Sequence, residues 1–160
     1  MPLQQEQIEL LPLLDGAIIV WHHMSLSLQD CYFSATIASG ARYDLLFNRT
    51  IYMDLPEQMN NVVIRLASAE ETEVIREGLE ETLPQYFRWL LSRIQGEVLA
   101  FTCTEGSYFL WVQKLTVITP EDMMKDKNFL QDLLDYTDFC ERELVPDWLN
   151  LEHVWESPGV

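Results

Sequence analysis

Ala17-Ile18-Ile19-Val20-Trp21-His22-His23-Met24-Ser25-Leu26-Ser27-Leu28, then Gln29-Asp30, then Cys31-Tyr32-Phe33-Ser34-Ala35-Thr36-Ile37-Ala38 is the stretch on which the fold turns. Its period is two. Val20, His22, Met24, Leu26 and Leu28 alternate with Trp21, His23, Ser25 and Ser27, and Cys31, Phe33, Ala35 and Ile37 alternate with Tyr32, Ser34, Thr36 and Ala38. Successive side chains of a strand point to opposite faces, so both runs read as half-buried strands. The two residues Gln29-Asp30 are short enough for a hairpin turn, and Ser39-Gly40 ends the second strand.

Outward from this hairpin the pattern changes. Upstream, Gln5 to Leu14 spaces Ile8, Leu11 and Leu14 as one side of a short helix stopped at Asp15-Gly16. Downstream, Tyr43–Leu55 reads as a third strand, bulged at Asn48-Arg49 and closed by Pro56, and Val62–Leu66 as a short fourth strand or a helix entry. Ser68-Ala69-Glu70-Glu71 is a capping box, in which a hydroxyl and a carboxylate each satisfy a free N–H. The helix it opens spaces Ile75, Leu79, Leu83, Phe87, Leu90, Leu91 and Ile94 by three and four, with Pro84 as a kink and Gln95-Gly96 as its end. Glu97–Thr104 and Tyr108–Ile118 form a hairpin about Glu105-Gly106. Thr119-Pro120-Glu121-Asp122 then caps a last helix with Leu130, Leu133, Thr137, Cys140 and Leu144 as its stripe, ended by Pro146.

The order is α-β-β-β-α-β-β-α in a single domain over residues 1–160, with 146–160 as a Trp-containing tail. The expected class is α+β, a mainly antiparallel sheet of about five strands with helices packed on one face. One feature sits awkwardly there. The strand Tyr108–Ile118 is apolar on both sides, so it is either covered twice or part of an interface.

Charge is the strongest functional signal. There are 26 acids against 10 bases, a formal net charge of −16, and residues 119–160 hold 11 of the acids with 3 bases. Such a surface repels phosphate backbones and anionic lipid and attracts cationic partners, which argues against direct nucleic-acid or membrane binding. No stretch has the form of a signal peptide or a membrane span. Cys31, Cys103 and Cys140 are too scattered for a CxxC pair and lie on apolar sides, which fits reduced thiols and a cytoplasmic location.

Chemistry finds little support. His22 and His23 are adjacent on a strand and face opposite ways, so they do not chelate one ion, and His153 is remote. His22 is expected to face inward and His23 to be solvated. Acids are abundant but none stands alone in an apolar run, and Asp30 and Asp44 are read as turn residues. Cys31 is near the histidines of the neighbouring strand, yet its inward register assigns it to packing. There is no Gly-rich phosphate loop, nucleophile elbow or HExxH. No catalytic residue, metal or cofactor is assigned.

What remains is binding. Trp21, Ser25, Ser27, Tyr32, Ser34, Thr36, Thr50 and Tyr52 make one sheet face too aromatic for plain solvent contact, and Asp132, Asp135, Asp138, Glu141 and Glu143 follow one polar arc of the last helix. Trp148 and Trp155 add two of the five tryptophans in the tail, a residue type prominent at interface hot spots. The expected contact residues are therefore Trp21, Tyr32, Tyr52, Asp132, Asp135, Asp138, Glu141, Trp148 and Trp155. The expected function is non-enzymatic binding of a basic or amphipathic protein partner, of chaperone, antitoxin or immunity type, with a homodimer compatible. Two other readings stand beside it: a small-molecule or enzymatic pocket between sheet and helices lined by Trp111, Trp89, Tyr86 and His22, and a DNA mimic that occupies a nucleic-acid-binding protein.

The element order and the acidity resemble class I type III secretion chaperones, which are small, acidic, cytoplasmic, dimeric α/β proteins that hold an effector segment. The resemblance implies an effector-like protein partner and a dimer.

Overall fold

Strands leave unpaired N–H and C=O groups at every sheet edge, and this chain removes its edges by closing the sheet on itself. The computed structural model describes residues 3–24, 30–82, 96–128 and 131. Its strands are β1 (Ala17–Met24), β2 (Cys31–Thr36), β3 (Arg42–Met53), β4 (Gln58–Leu66), β5 (Glu97–Cys103) and β6 (Gly106–Ile118). They pair antiparallel around a closed barrel in the order β1-β2-β3-β6-β5-β4, with β1 hydrogen-bonded to both β2 and β4. The helices are α1 (Gln5–Leu10), extended by a 3₁₀ turn over Leu11–Leu14, α2 (Ala69–Thr82) and α3 (Pro120–Lys125).

This corrects the expected α+β class. The sheet has six strands rather than about five, because residues 58–66 form a full strand, and it is a barrel rather than an open layer with helices on one face. A period of two is the same in an open and a closed sheet, so the alternation that marks each strand is silent about closure. The likeness to type III secretion chaperones rested on the open α/β order and goes with it.

Closure creates an inside and an outside. Ala17, Ile19, Phe33, Ala35, Leu45, Phe47, Phe101, Leu110, Val112, Leu115 and Val117 share the inner core. Phe33, Phe47 and Phe101 meet in sequence, with ring centroids 5.8 and 6.1 Å apart and planes near perpendicular, the favourable edge-to-face arrangement. The doubly apolar β6 now has its explanation. Its inner residues fill the barrel, while Trp111, with Val98 of β5, is buried outside against Ile75 of α2. The inner face of β6 changes parity between Val112 and Leu115, opposite Arg49 of β3, whose φ is +57°; the β3–β6 register itself shifts between Thr50 and Tyr52, just beyond the bulge expected at Asn48-Arg49.

The N-terminal segment stops one end of the barrel. Leu3, Leu11 and Leu14 belong to the inner core, the Leu3 N–H donates to Glu97 at the start of β5, and the Val117 N–H donates to Gln7 at the end of β6. The Ser68 capping box forms as expected, and the expected Thr119 cap is completed to a box by Asp122. Ser68 and Glu71 exchange bonds of 2.9 and 3.1 Å, and Thr119 and Asp122 exchange bonds of 3.0 and 3.2 Å with Pro120 in the first turn. Gly96, with φ +110°, precedes β5 where a Cβ would run into the Val112 carbonyl, so glycine is required there. The expected hairpin about Glu105-Gly106 is present, pairing Cys103 with Gly106. The second half of the long helix and the whole stripe of the last one lie outside the described residues.

Candidate functional site

The end of the barrel opposite the N-terminal stop is built by a crossing. β3 and β4 are consecutive in the chain but not neighbours in the barrel, so residues 54–57 must bridge the open end. Four extended residues reach roughly 13 Å, enough to span a barrel this narrow. The bridge is tied at both sides. Asp54 accepts the Phe109 N–H at 2.6 Å and donates its own N–H to the Phe109 carbonyl at 3.3 Å, while the Glu57 carbonyl accepts the Trp21 N–H at 2.8 Å. Beneath it lies an open hollow of about 160 Å³, lined by Trp21, Phe33, Met53, Leu55, Pro56 and Glu57.

Trp21 reaches this hollow because it continues the inward parity of Ala17 and Ile19 along β1, and at the mouth it stays 38% exposed. The register shifts just after it: Trp21 pairs with Phe33, whereas His23 pairs with Tyr32, so His22 is the extra residue of a bulge. The expected inward His22 is corrected: the residue is exposed. The His23 side chain lies outside those described.

On the outer wall, His22 joins a chain of polar contacts across β1, β2 and β3. Its Nε2 is hydrogen-bonded to Ser34 Oγ at 2.6 Å and its ring stacks on Tyr32, centroids 5.0 Å apart. The Tyr32 hydroxyl donates to Asp44 Oδ1 at 2.6 Å and accepts from Arg42 Nη2 at 2.7 Å, and Arg42 Nε donates to the same carboxylate oxygen at 3.2 Å. Burial, and donation to a carboxylate, push the Tyr32 phenol up to about 12. Asp44 is buried within β3, which corrects its reading as a turn residue. The Ser34–His22 pair has the distance of a nucleophile and its base, but Ser34 is buried, and Asp44, the one buried carboxylate among the described residues, is committed to Tyr32 and Arg42 rather than to His22. This is a brace between three strands.

The expected contact residues are not gathered on one face. Trp21 is at the mouth, Tyr32 is buried in the outer-wall brace, and Tyr52 packs beside Trp111 and Ile75 with its hydroxyl donating to Asp54 Oδ2 at 3.2 Å. Asp132, Asp135, Asp138, Glu141, Trp148 and Trp155 lie outside the described residues, as do Trp89 and Tyr86 of the alternative pocket. Trp111 and His22, the other two members of that pocket, are apart: one is buried under α2 and the other is on the outer wall of β1. Cys31 is a buried free thiol that donates to Met53 Sδ at 3.8 Å, and burial raises its pKa. Among the described residues no three His, Cys, Asp or Glu side chains are grouped to hold a metal ion.

Sequence reasoning missed Leu55, Pro56 and Glu57. Pro56 was visible as a strand terminator, but only the barrel order turns a terminator into a lintel. It also missed the acidity of α2. Taking 100° per residue, Glu70, Glu73, Glu77, Glu80 and Glu81 fall within roughly 100° of arc, opposite the buried Ile75 and the half-buried Leu79. Arg76 lies to one side, 4.0 Å from Glu73 and over the Trp111 ring. No protein-family model, curated protein or solved structure matches this chain.

Proposed function

We propose that this chain is a non-enzymatic binding protein whose partner is a basic, amphipathic segment of another protein. The observation that carries this reading is the glutamate arc of α2. Five carboxylates share one face of a fourteen-residue helix, and the same face presents Val74, 68% exposed, at its border. Helices balance charge with i,i+4 pairs of opposite sign when stability is the only requirement. Here Glu73–Glu77 and Glu77–Glu81 are like-charged i,i+4 pairs, a destabilising choice that a cationic partner would relieve. The net charge of −16 supplies long-range attraction to the same partner.

Cys31 and Cys103 are free thiols, which supports the cytoplasm as the place of action. Among the described residues no helix is long and apolar enough to cross a membrane.

The test is titration of a fluorescent lysine- and leucine-bearing amphipathic helical peptide into the full chain and into a variant carrying Glu73→Gln, Glu77→Gln, Glu80→Gln and Glu81→Gln. At about 0.2–1 kcal/mol per exposed charge pair, the four changes together should weaken binding at least about fourfold and make its salt dependence shallower. Equal affinity of variant and parent, with the same salt dependence, would remove the reading.

A further inference from the structure

The barrel mouth offers something the helix arc does not: an apolar recess with one charge. Phe33, Met53, Leu55 and Pro56 give it hydrocarbon and thioether walls, Trp21 gives it a half-exposed indole, and Glu57 is the only charged residue in the lining among the described residues. Asp54, at the far end of the bridge, is held by the Phe109 N–H and the Tyr52 hydroxyl, and Glu105, in the β5–β6 turn at the same end of the barrel, is held by Asn60 of β4 through donors at 2.8 and 3.4 Å. These bonds keep Glu105 ionised well below the usual carboxylate range, at about 2. A volume of about 160 Å³ is close to that of cavities that hold one benzene-sized group, which is room for one side chain.

We infer that the barrel mouth is a socket for one lysine side chain of the basic partner, its methylene stem on the apolar walls and its ammonium between Trp21 and Glu57. This rests on the partner reading above. An indole attracts a cation through its ring quadrupole, and a carboxylate does so by charge, so the two together select an alkylammonium over a neutral alkyl group. Lysine fits better than arginine. Its compact head sits on a four-carbon stem that the hydrocarbon walls suit, whereas a guanidinium presents five donors to a lining that, among the described residues, offers the one carboxylate of Glu57.

NMR of the full chain reads the socket directly, through the Met53 methyl and the Trp21 indole N–H. n-Butylammonium should shift both signals saturably, and 1-butanol at the same concentration should not. Glu57→Gln, an exposed change that leaves the core intact, should weaken the butylammonium response about twofold to fivefold, as should Trp21→Leu, which keeps apolar volume but removes the ring. An equal response to 1-butanol, or an unchanged affinity in Glu57→Gln, overturns the socket. The amphipathic peptide separates the two proposals. If it binds and shifts Met53, and loses that shift when its lysines are replaced by norleucine, both stand. If it binds by the α2 arc without moving Met53 or Trp21, the lysine socket falls while the partner reading survives. If the peptide does not bind but butylammonium still seats, the partner reading falls, and the mouth belongs to a free alkylamine instead.

Discussion

Tyr32 illustrates how much a single position can carry. Its ring stacks on His22, its hydroxyl donates to buried Asp44, and Arg42 donates to it in turn. Tyr32→Phe leaves Asp44 with Arg42 alone and should cost about 1–3 kcal/mol in urea unfolding, the usual cost of an under-satisfied buried acceptor. The pH dependence follows from the raised phenol. The folded state holds this proton up to about 12, against an ordinary value near 10, so the contribution is complete below pH 10 and is lost as pH rises through about 12. Tyr32→Phe should flatten that alkaline part of the stability profile. Of this brace, the sequence shows only that Arg42 and Asp44 share a strand face. That Tyr32 lies across from them depends on the β2–β3 register, which pairs Thr36 with Arg42 and Ser34 with Asp44.

Among the elements, α2 is the one whose start is written most plainly and whose role is written least. Glu71 serves two purposes: it accepts the Ser68 N–H and takes a bidentate pair of donors from Arg65 at 2.7 and 3.0 Å. The Arg65 guanidinium first, and the Ser68 N–H second, hold its carboxyl down at about 2. A depressed carboxyl contributes stability that is present above its unfolded value and is lost as pH falls toward about 2. Thermal unfolding of Glu71→Gln should therefore show a lower midpoint at neutral pH, and the difference from the parent should vanish on acidification. Ser68→Ala should cost about 0.5–2 kcal/mol at neutral pH by loss of the cap. The cap was legible because its chemistry is local to four residues. The glutamate arc is equally present in the sequence, but residues 119–160 hold half the excess charge and are the denser signal.

The whole molecule depends on filling a narrow tube. Eight strands already leave an interior only just wide enough for side chains, so six strands leave room for a single packed file. Phe47 is fully buried between Phe33 and Phe101, in contact with both rings. Phe47→Ala should cost about 3–5 kcal/mol by urea midpoint, because hydrogen bonds tie the wall all round and limit its collapse into the void. The same narrowness makes the mouth a place for one side chain. Its walls come from β1, β2, the end of β3 and the bridge, drawn together from positions 21, 33, 53 and 55–57.

By itself, the sequence determined five of the six strands, with β4 left between strand and helix entry, the Ser68 capping box, the Thr119 cap, the β5–β6 hairpin and the acidity. Each of these is a matter of near neighbours: alternation, a hydroxyl three residues before a carboxylate, a glycine where φ turns positive. Tertiary structure alone decided that β1 returns to β4, pairing Ala17 with Val62, and from that single closure came the mouth, the bridge and the inward turn of Trp21. Pairing between distant strands is selected by the total area the barrel buries, and no local pattern along the chain encodes which edge will meet which.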